Sequence, residues 1–122
     1  MFFAVCLIAA ATNLNASTGP ELVTNGGFES GDFTGWTVTH AATGSNIGVT
    51  NIAPHSGTFD AFFHSTSFGV FDSISQSIPT IPGALYEVRF SLRNDTSSSG
   101  EFLPSFGNNT LDDFGSSIFP YT

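Results

Sequence analysis

The sequence predicts an all-β fold, a small sandwich or barrel of short strands, and three observations support that prediction. Clusters of turn-forming residues recur at short spacing, and segments rich in Val, Ile, Thr, Phe and Tyr lie between them. No segment shows the 3.6-residue apolar period of an amphipathic helix. The 122 residues include no Lys and only two Arg, so long side chains that favour solvated helix faces are scarce. This length suits a single domain.

The chain begins with an apolar run, Phe2 to Ala11, which has the length of a signal-peptide core and is too short to span a bilayer as a helix. Small or neutral residues from Leu14 to Ala16 fit cleavage after Ala16. Residues 1–16 are therefore predicted to be a signal peptide and residues 17–122 the domain. No Lys or Arg precedes the run, and a buried first strand is the alternative. Cleavage would also remove Cys6, the sole cysteine, so the domain would contain no disulfide.

Five segments after the predicted signal have the two-residue period of a strand. The clearest is Ala84 to Leu92, in which hydrophobic and polar residues alternate, so that one face is predicted to be buried and the other wet. The other four, in chain order, are Trp36-Val38-His40, Ile47 to Ile52, Phe59-Ala61-Phe63 and Ser73 to Ile78. At least six strands are expected in total.

The last part of the chain has a different pattern. A polar loop from Thr96 to Gly100 is followed by Phe102 to Phe106, a Gly-Asn-Asn turn, and Thr110 to Phe114. The sequence then stops at Phe119-Pro120-Tyr121-Thr122, which has the pattern of an entering strand. We therefore expect the sandwich to lack its last strands.

The charge of the chain narrows the classes of partner. The formal net charge is −8, and the first basic residue along the chain is Arg89. Because nothing before that point could neutralise a run of phosphates, nucleic acids and anionic membrane surfaces are poor partners. An uncharged or cationic partner is favoured.

The most distinctive stretch runs from Glu21 to Trp36 and contains Asn-Gly-Gly-Phe-Glu at 25–29 and Gly-Trp at 35–36. Further matching segments follow in order: Pro54 to Ala61, Ile74 to Ile78, Ile81 to Tyr86 and Phe90 to Asp95. Together they resemble the carbohydrate-binding-module-like domains of PEP-CTERM-type bacterial surface proteins, which have a galactose-binding-type fold. The resemblance extends from about Glu21 to the C-terminus. It implies an antiparallel jelly-roll β-sandwich that continues beyond residue 122.

The same resemblance implies a structural calcium ion. In similar modules the ion is held by the Glu of the Phe-Glu pair, here Glu29, by backbone carbonyls near the Ser-Gly turn, here Ser56 and Gly57, and by an Asp in the final strand. Calcium takes about six to eight oxygen ligands, so these residues would supply an incomplete set. The alternative is that Glu29 is a solvent-facing loop residue.

Aromatic residues suggest both a structural and a binding role. Phe28, Phe33 and Trp36 can plug one end of a sandwich; sugar stacking is the alternative for Trp36, although a lone Trp at a strand start is more often part of a core. Phe68 and Phe71 flank a glycine in a loop and cannot both point inward by strand alternation. They are the candidate ligand-binding residues because sugar rings stack on flat side chains, with ordinary loop anchoring as the alternative.

No arrangement of residues indicates catalysis. His40, His55 and His64 have neither Cys partners nor His-x-x-x-His spacing, and none of the serines lies in Gly-x-Ser-x-Gly. The carboxylates are scattered over predicted loops and wet faces, whereas glycoside hydrolysis needs two of them facing one sugar. We expect the protein not to be an enzyme.

These observations predict a non-catalytic, exported binding module, secreted or at the cell surface, that contacts neutral polysaccharide there or in extracellular matrix. No membrane insertion is expected after signal removal. One alternative is a purely structural matrix or adhesion domain without a small ligand, and another is the accessory domain of an enzyme. The fold class does not choose among them because it hosts many roles.

Overall fold

The computed structural model describes residues 19–40, 45–64, 71–94 and 101–112, together with the backbone of residues 2–11. Within these ranges the chain forms strands and no helix. The strands are β1 Phe2–Ala11, β2 Thr37–Thr39, β3 Asn46–Thr50, β4 Asp60–His64, β5 Ser73–Ser75, β6 Leu85–Asn94, β7 Ser105–Phe106 and β8 Asn109–Thr110. None of the described residues belongs to a helix long and apolar enough to cross a membrane.

The strands form three small antiparallel sheets. The largest has the order β3-β4-β1-β6, and β2-β5 and β7-β8 form separate two-stranded sheets. The predicted all-β class is therefore confirmed for the described part of the chain. A jelly-roll arrangement of two facing sheets is a finer claim and stays a prediction.

The N-terminal apolar segment is an inner strand of the largest sheet. All ten residues of β1 pair with β6, from Phe2 opposite Asn94 to Ala11 opposite Leu85, and its first three residues also pair with β4. This is the strand interpretation of the segment. Cleavage after Ala16 concerns residues 12–18, which lie outside the described residues, and it stays a prediction.

Most of the predicted strands occur at the expected positions. The Ala84 to Leu92 prediction corresponds to β6, which continues two residues further, and β3 ends at Thr50 because residues 51–53 form a bend. Ser73 to Ile78 keeps its predicted alternation, although only its first three residues are paired as β5. The alternation predicted for β4 is not clean, because Asp60 and Ala61 are both fully buried.

Among the side chains that the structure describes, the core cluster is small and mostly aromatic. Leu92 of β6 is fully buried, and three partly buried rings pack against it: Phe63, Phe90 and Phe102. The Phe102 ring lies 6.0 Å from the Phe63 ring and 5.8 Å from the Phe90 ring, measured between centroids. Phe102 thus joins the segment after β6 to the face of the four-stranded sheet.

Candidate functional site

A loop of residues 24–36 is built around a buried aromatic cluster. Phe28 is fully buried and meets Phe33 edge to face, with ring centroids 5.8 Å apart. The centroid of the Trp36 ring lies 5.7 Å from that of Phe28, and its indole nitrogen donates to the carbonyl of Asn25 at 3.1 Å. The half-buried Trp36 ring is held by this cluster and its polar atom is engaged, which is the core interpretation of that residue.

Asn25 organises the polar side of the same loop. Its backbone φ is 53°, a left-handed conformation that Asn tolerates better than most residues. The side-chain Nδ2 donates to the Ser30 hydroxyl at 2.7 Å and to the carbonyls of Asp32 and Thr34, both at 3.0 Å. One amide therefore fixes three points of the loop.

Asp32 closes the loop from the exposed side. Its Oδ1 accepts from the Ser30 hydroxyl at 2.7 Å and from the Thr34 amide at 2.9 Å. Hydrogen bonds from the side chain of Thr34, the side chain of Ser30 and the backbone of Thr34 lower the pKa of Asp32, because all three favour the charged form. At neutral pH this carboxylate is an anionic anchor of the loop.

Gln76 ties the loop to the segment that follows β5. Its Oε1 accepts from the Thr24 amide at 2.7 Å, and its Nε2 donates to the carbonyls of Thr24 at 3.0 Å and Gly35 at 2.8 Å. The Gln76 side-chain amide therefore makes the hydrogen bonds to the loop backbone that a neighbouring strand would otherwise make.

Glu29 lies against the turn formed by His55, Ser56 and Gly57, the His-Ser-Gly turn. The structure thus places Glu29 next to the turn that the resemblance selected. The Thr58 amide donates to both carboxylate oxygens at 3.1 Å, and the Phe59 amide donates to Oε1 at 3.3 Å. Gly57, with φ of 71°, leaves space for the carboxylate, because a Cβ there would collide with it. Ser56 is exposed in the same turn.

These contacts fit a calcium ion only in part. A carboxylate has about four acceptor positions, and backbone N–H groups take up most of those on Glu29. The positive ends of these N–H groups would point toward a cation bound at the carboxylate and would repel it. Among the residues that the structure describes, no three His, Cys, Asp or Glu side chains are grouped to hold a metal ion.

Of the two candidate ligand-binding residues, Phe71 is described and Phe68 lies outside the described residues. Phe71 is 45% exposed, so the residue is accessible to solvent. The side chain of the next residue, Asp72, is almost fully buried and accepts from the Ser45 hydroxyl at 2.8 Å, while His40 Nδ1 lies 3.9 Å from the same oxygen. The accessible Phe71 is therefore followed in the chain by a residue whose side chain is held in a group of polar side chains.

The three histidines do not come together as a catalytic group. His40 is beside Asp72, His55 is exposed in the turn that Gly57 belongs to, and His64 ends β4. Ser45 donates to a carboxylate, whereas a nucleophilic serine would donate to a histidine nitrogen. The expectation that the protein is not an enzyme stays a prediction.

Three residues that organise the loop were missed in the sequence: Asn25, Asp32 and Gln76. Each has a signal that could have found it. Asn before Gly-Gly and Asp two residues before Thr are typical of side chains that bond to nearby backbone. Gln76 lies between Ile74 and Ile78 on an otherwise apolar face, and an inward amide must find partners.

Comparison with protein-family models, with curated proteins and with solved structures finds no match to this chain.

Proposed function

We propose that this protein is a non-catalytic, exported binding module that contacts neutral polysaccharide at the cell surface or in extracellular matrix. The observation that carries the proposal is the exposure of Phe71, which directly precedes Asp72 of the Ser45, Asp72 and His40 group in the chain. A sugar ring stacks on a flat aromatic face while its hydroxyls bond to nearby polar side chains. The net charge of −8 favours an uncharged polymer over an anionic one.

The small antiparallel sheets and the ordered loop at 24–36 are compatible with a jelly-roll sandwich of the galactose-binding type, and we include that architecture in the proposal. The resemblance to PEP-CTERM-type surface proteins supports an exported location. Export requires the N-terminal segment to act as a signal, with cleavage after Ala16.

The test is retention of the protein on insoluble neutral polysaccharides, such as cellulose, chitin and starch, in pull-down assays. We expect Phe71→Ala to weaken retention at least about threefold, as truncation of an aromatic contact does, with little loss of stability because the ring is accessible. Phe71→Tyr should retain binding because it keeps the flat ring.

A matched control is Leu103→Ala, since Leu103 has a similar exposure of 41% and no aromatic ring. Retention equal to wild type is expected for this variant. If Phe71→Ala is retained as well as wild type on every polymer that binds, the Phe71 site is wrong. If wild type binds none of them, the purely structural matrix or adhesion role becomes the better proposal.

We propose that Glu29 and the Ser56-Gly57 turn bind a structural calcium ion weakly. Among the described residues only one carboxylate is known to lie there, so affinity near the millimolar end is expected, about 10⁻⁴–10⁻³ M. Calcium should raise the melting temperature of wild type slightly and that of Glu29→Gln not at all, relative to samples with chelator. Identical melting of both proteins with and without calcium would remove the ion from the proposal.

A further inference from the structure

An open groove of about 300 Å³ lies between the segment that follows β5 and the β7-β8 hairpin. Its lining is formed by Gln76, Ile78, Thr80, Ser105, Phe106 and Gly107. None of these residues belongs to the Phe71 site. The volume is at the lower end of the range for ligand pockets, about 300–1,000 Å³, so the groove suits a small ring rather than a large ligand.

The aromatic wall of the groove is held in place from behind. The Phe106 ring lies 5.8 Å from the Tyr86 ring, with a tilt of 32° between their planes. The hydroxyl of Tyr86 accepts a hydrogen bond of 2.7 Å from the Ile81 amide, which fixes the supporting ring. Phe106 itself ends β7, and the chain then turns at Gly107 with φ of 61°. A rigid aromatic wall loses little entropy when a ligand stacks on it.

The polar groups of the groove are neutral. Thr80 and Ser105 are exposed and carry hydroxyls that can both donate and accept. The Gln76 amide is engaged with Thr24 and Gly35, so it forms a fixed part of the wall. Within the part of the chain that the structure describes, the lining includes no ionisable side chain.

This combination selects a class of ligand. A charged ligand would lose hydration on entering and find no counter-charge, and an anion would also be repelled by the net charge of −8. A purely apolar ligand would make no hydrogen bonds to the hydroxyls of Thr80 and Ser105. A neutral ring with hydroxyls on its rim and an apolar face matches both kinds of group.

We infer that the groove is a second carbohydrate subsite, which binds one neutral sugar ring stacked on Phe106 and hydrogen-bonded to Thr80 and Ser105. Its lining residues Gln76, Ile78 and Thr80 follow Phe71 in the same segment of the chain. Residues 71 and 78 are at most about 24 Å apart, because an extended chain spans up to about 3.4 Å per residue. A glycan that contacts both sites would therefore have to span no more than about this distance.

The test is a titration of the full chain with glucose, galactose, mannose and cellobiose, observed in NMR spectra of ¹³C-labelled Phe and Tyr rings. At least one of these sugars should shift the Phe106 and Tyr86 resonances. Glucuronate, which differs from glucose by one carboxylate, should not. Phe106→Ala and Phe106→Leu should each raise the Kd at least about tenfold, and Leu preserves the apolar volume while removing the flat ring.

Thr80→Val and Ser105→Ala provide variants at exposed positions, where the fold is least affected. Each should weaken binding about threefold to tenfold. Phe71→Ala should leave the Kd of the small sugars unchanged, because its ring lies outside the groove.

The inference is overturned if no sugar shifts the Phe106 resonances, if glucuronate binds as well as glucose, or if the Kd is unchanged in Phe106→Leu. Its failure is separable from that of the proposed function. Retention on polymer that depends on Phe71 and not on Phe106 supports the proposed site and refutes the groove. Binding of small sugars that depends on Phe106, together with polymer retention that is unchanged in Phe71→Ala, supports the groove and refutes the Phe71 site.

Discussion

At Gly57 the backbone has φ of 71°, and the Glu29 carboxylate occupies the space next to the missing side chain. A glycine is needed here for two separate reasons. A left-handed φ costs most other residues about 1–2 kcal/mol, and any Cβ would also displace a carboxylate that accepts from Thr58 and Phe59. The two costs can be measured separately because the chain also contains glycines that have a positive φ but no atom close to the Cβ position.

We predict that Gly57→Ala lowers the free energy of unfolding by about 1 kcal/mol more than Gly83→Ala does, since displaced hydrogen bonds add roughly that amount. Gly83 has φ of 81° and nothing within 4 Å of its Cβ position, so it reports the cost of φ alone. Urea unfolding gives both values. In a Glu29→Ala background the excess should vanish; equal costs of Gly57→Ala and Gly83→Ala in the wild-type background would show that the Glu29 contact is absent.

The segment after β5 depends on one side chain for its attachment. Gln76 supplies an acceptor and two donations to the 24–36 loop, as a paired strand would. Ordinary strand pairing distributes such bonds over many residues, whereas here they converge on one amide. A single substitution should therefore detach the loop from this segment.

We predict that Gln76→Ala lowers the free energy of unfolding by about 1–3 kcal/mol, because backbone groups of Thr24 and Gly35 lose their partners. Ser77→Ala, at the exposed neighbour, should have almost no effect. Gln76→Glu should be at least as damaging as Ala at neutral pH, since it retains one acceptor but turns a negative charge toward two carbonyls. Equal stability of Gln76→Ala and Ser77→Ala, together with unchanged amide exchange at Thr24, would contradict the attachment.

Alternation in the sequence found the elements whose side chains face either core or solvent. It located β6 to within two residues, and it predicted that Ile74, Gln76 and Ile78 share one side. It failed at Asp60, because a buried carboxylate breaks the assumption that polar residues face water. It also could not show what Gln76 bonds to, since Thr24 is 52 positions away and no local pattern records that pairing.

The candidate sites show the same limit. The Glu29 contact with the His-Ser-Gly turn was anticipated through a family resemblance, although the structure shows amide donors at the carboxylate where carbonyls bound to a cation were expected. Phe71 was predicted from its place in a loop and is accessible. The groove at Phe106 depends on Tyr86 and Thr80, which lie on separate segments, so only the fold could reveal it.

On the scale of the whole molecule, the largest sheet includes the segment that we predicted to be removed as a signal peptide. β1 lies between β4 and β6, so a chain without it leaves two strand edges facing each other across the space of one strand. Exposed edges and the apolar surface around them favour aggregation. The predicted signal cleavage would therefore remove residues 2–11, whereas the observed sheet contains them as an inner strand.

The observed sheet predicts that a chain beginning at Ser17 binds a hydrophobic dye and melts broadly, whereas the chain that retains β1 melts cooperatively. The proposed export with cleavage after Ala16 predicts instead that the shorter chain also melts cooperatively. Fluorescence with dye and thermal unfolding of the two proteins provide the comparison. A sharp, reversible melt of the shorter chain would mean that the sheet closes without β1, as a removable signal peptide requires.

The pairing of β1 with β6 also sets an order of events during synthesis. Each residue of β1 meets a β6 partner more than 70 positions further along the chain, and closing so large a loop makes sheet formation slow. During synthesis β1 leaves the ribosome before β4 and β6, and it stays unpaired until these strands have followed it. During that interval the same residues are available to an export receptor, so the fate of the segment would be decided by whether capture or strand pairing comes first.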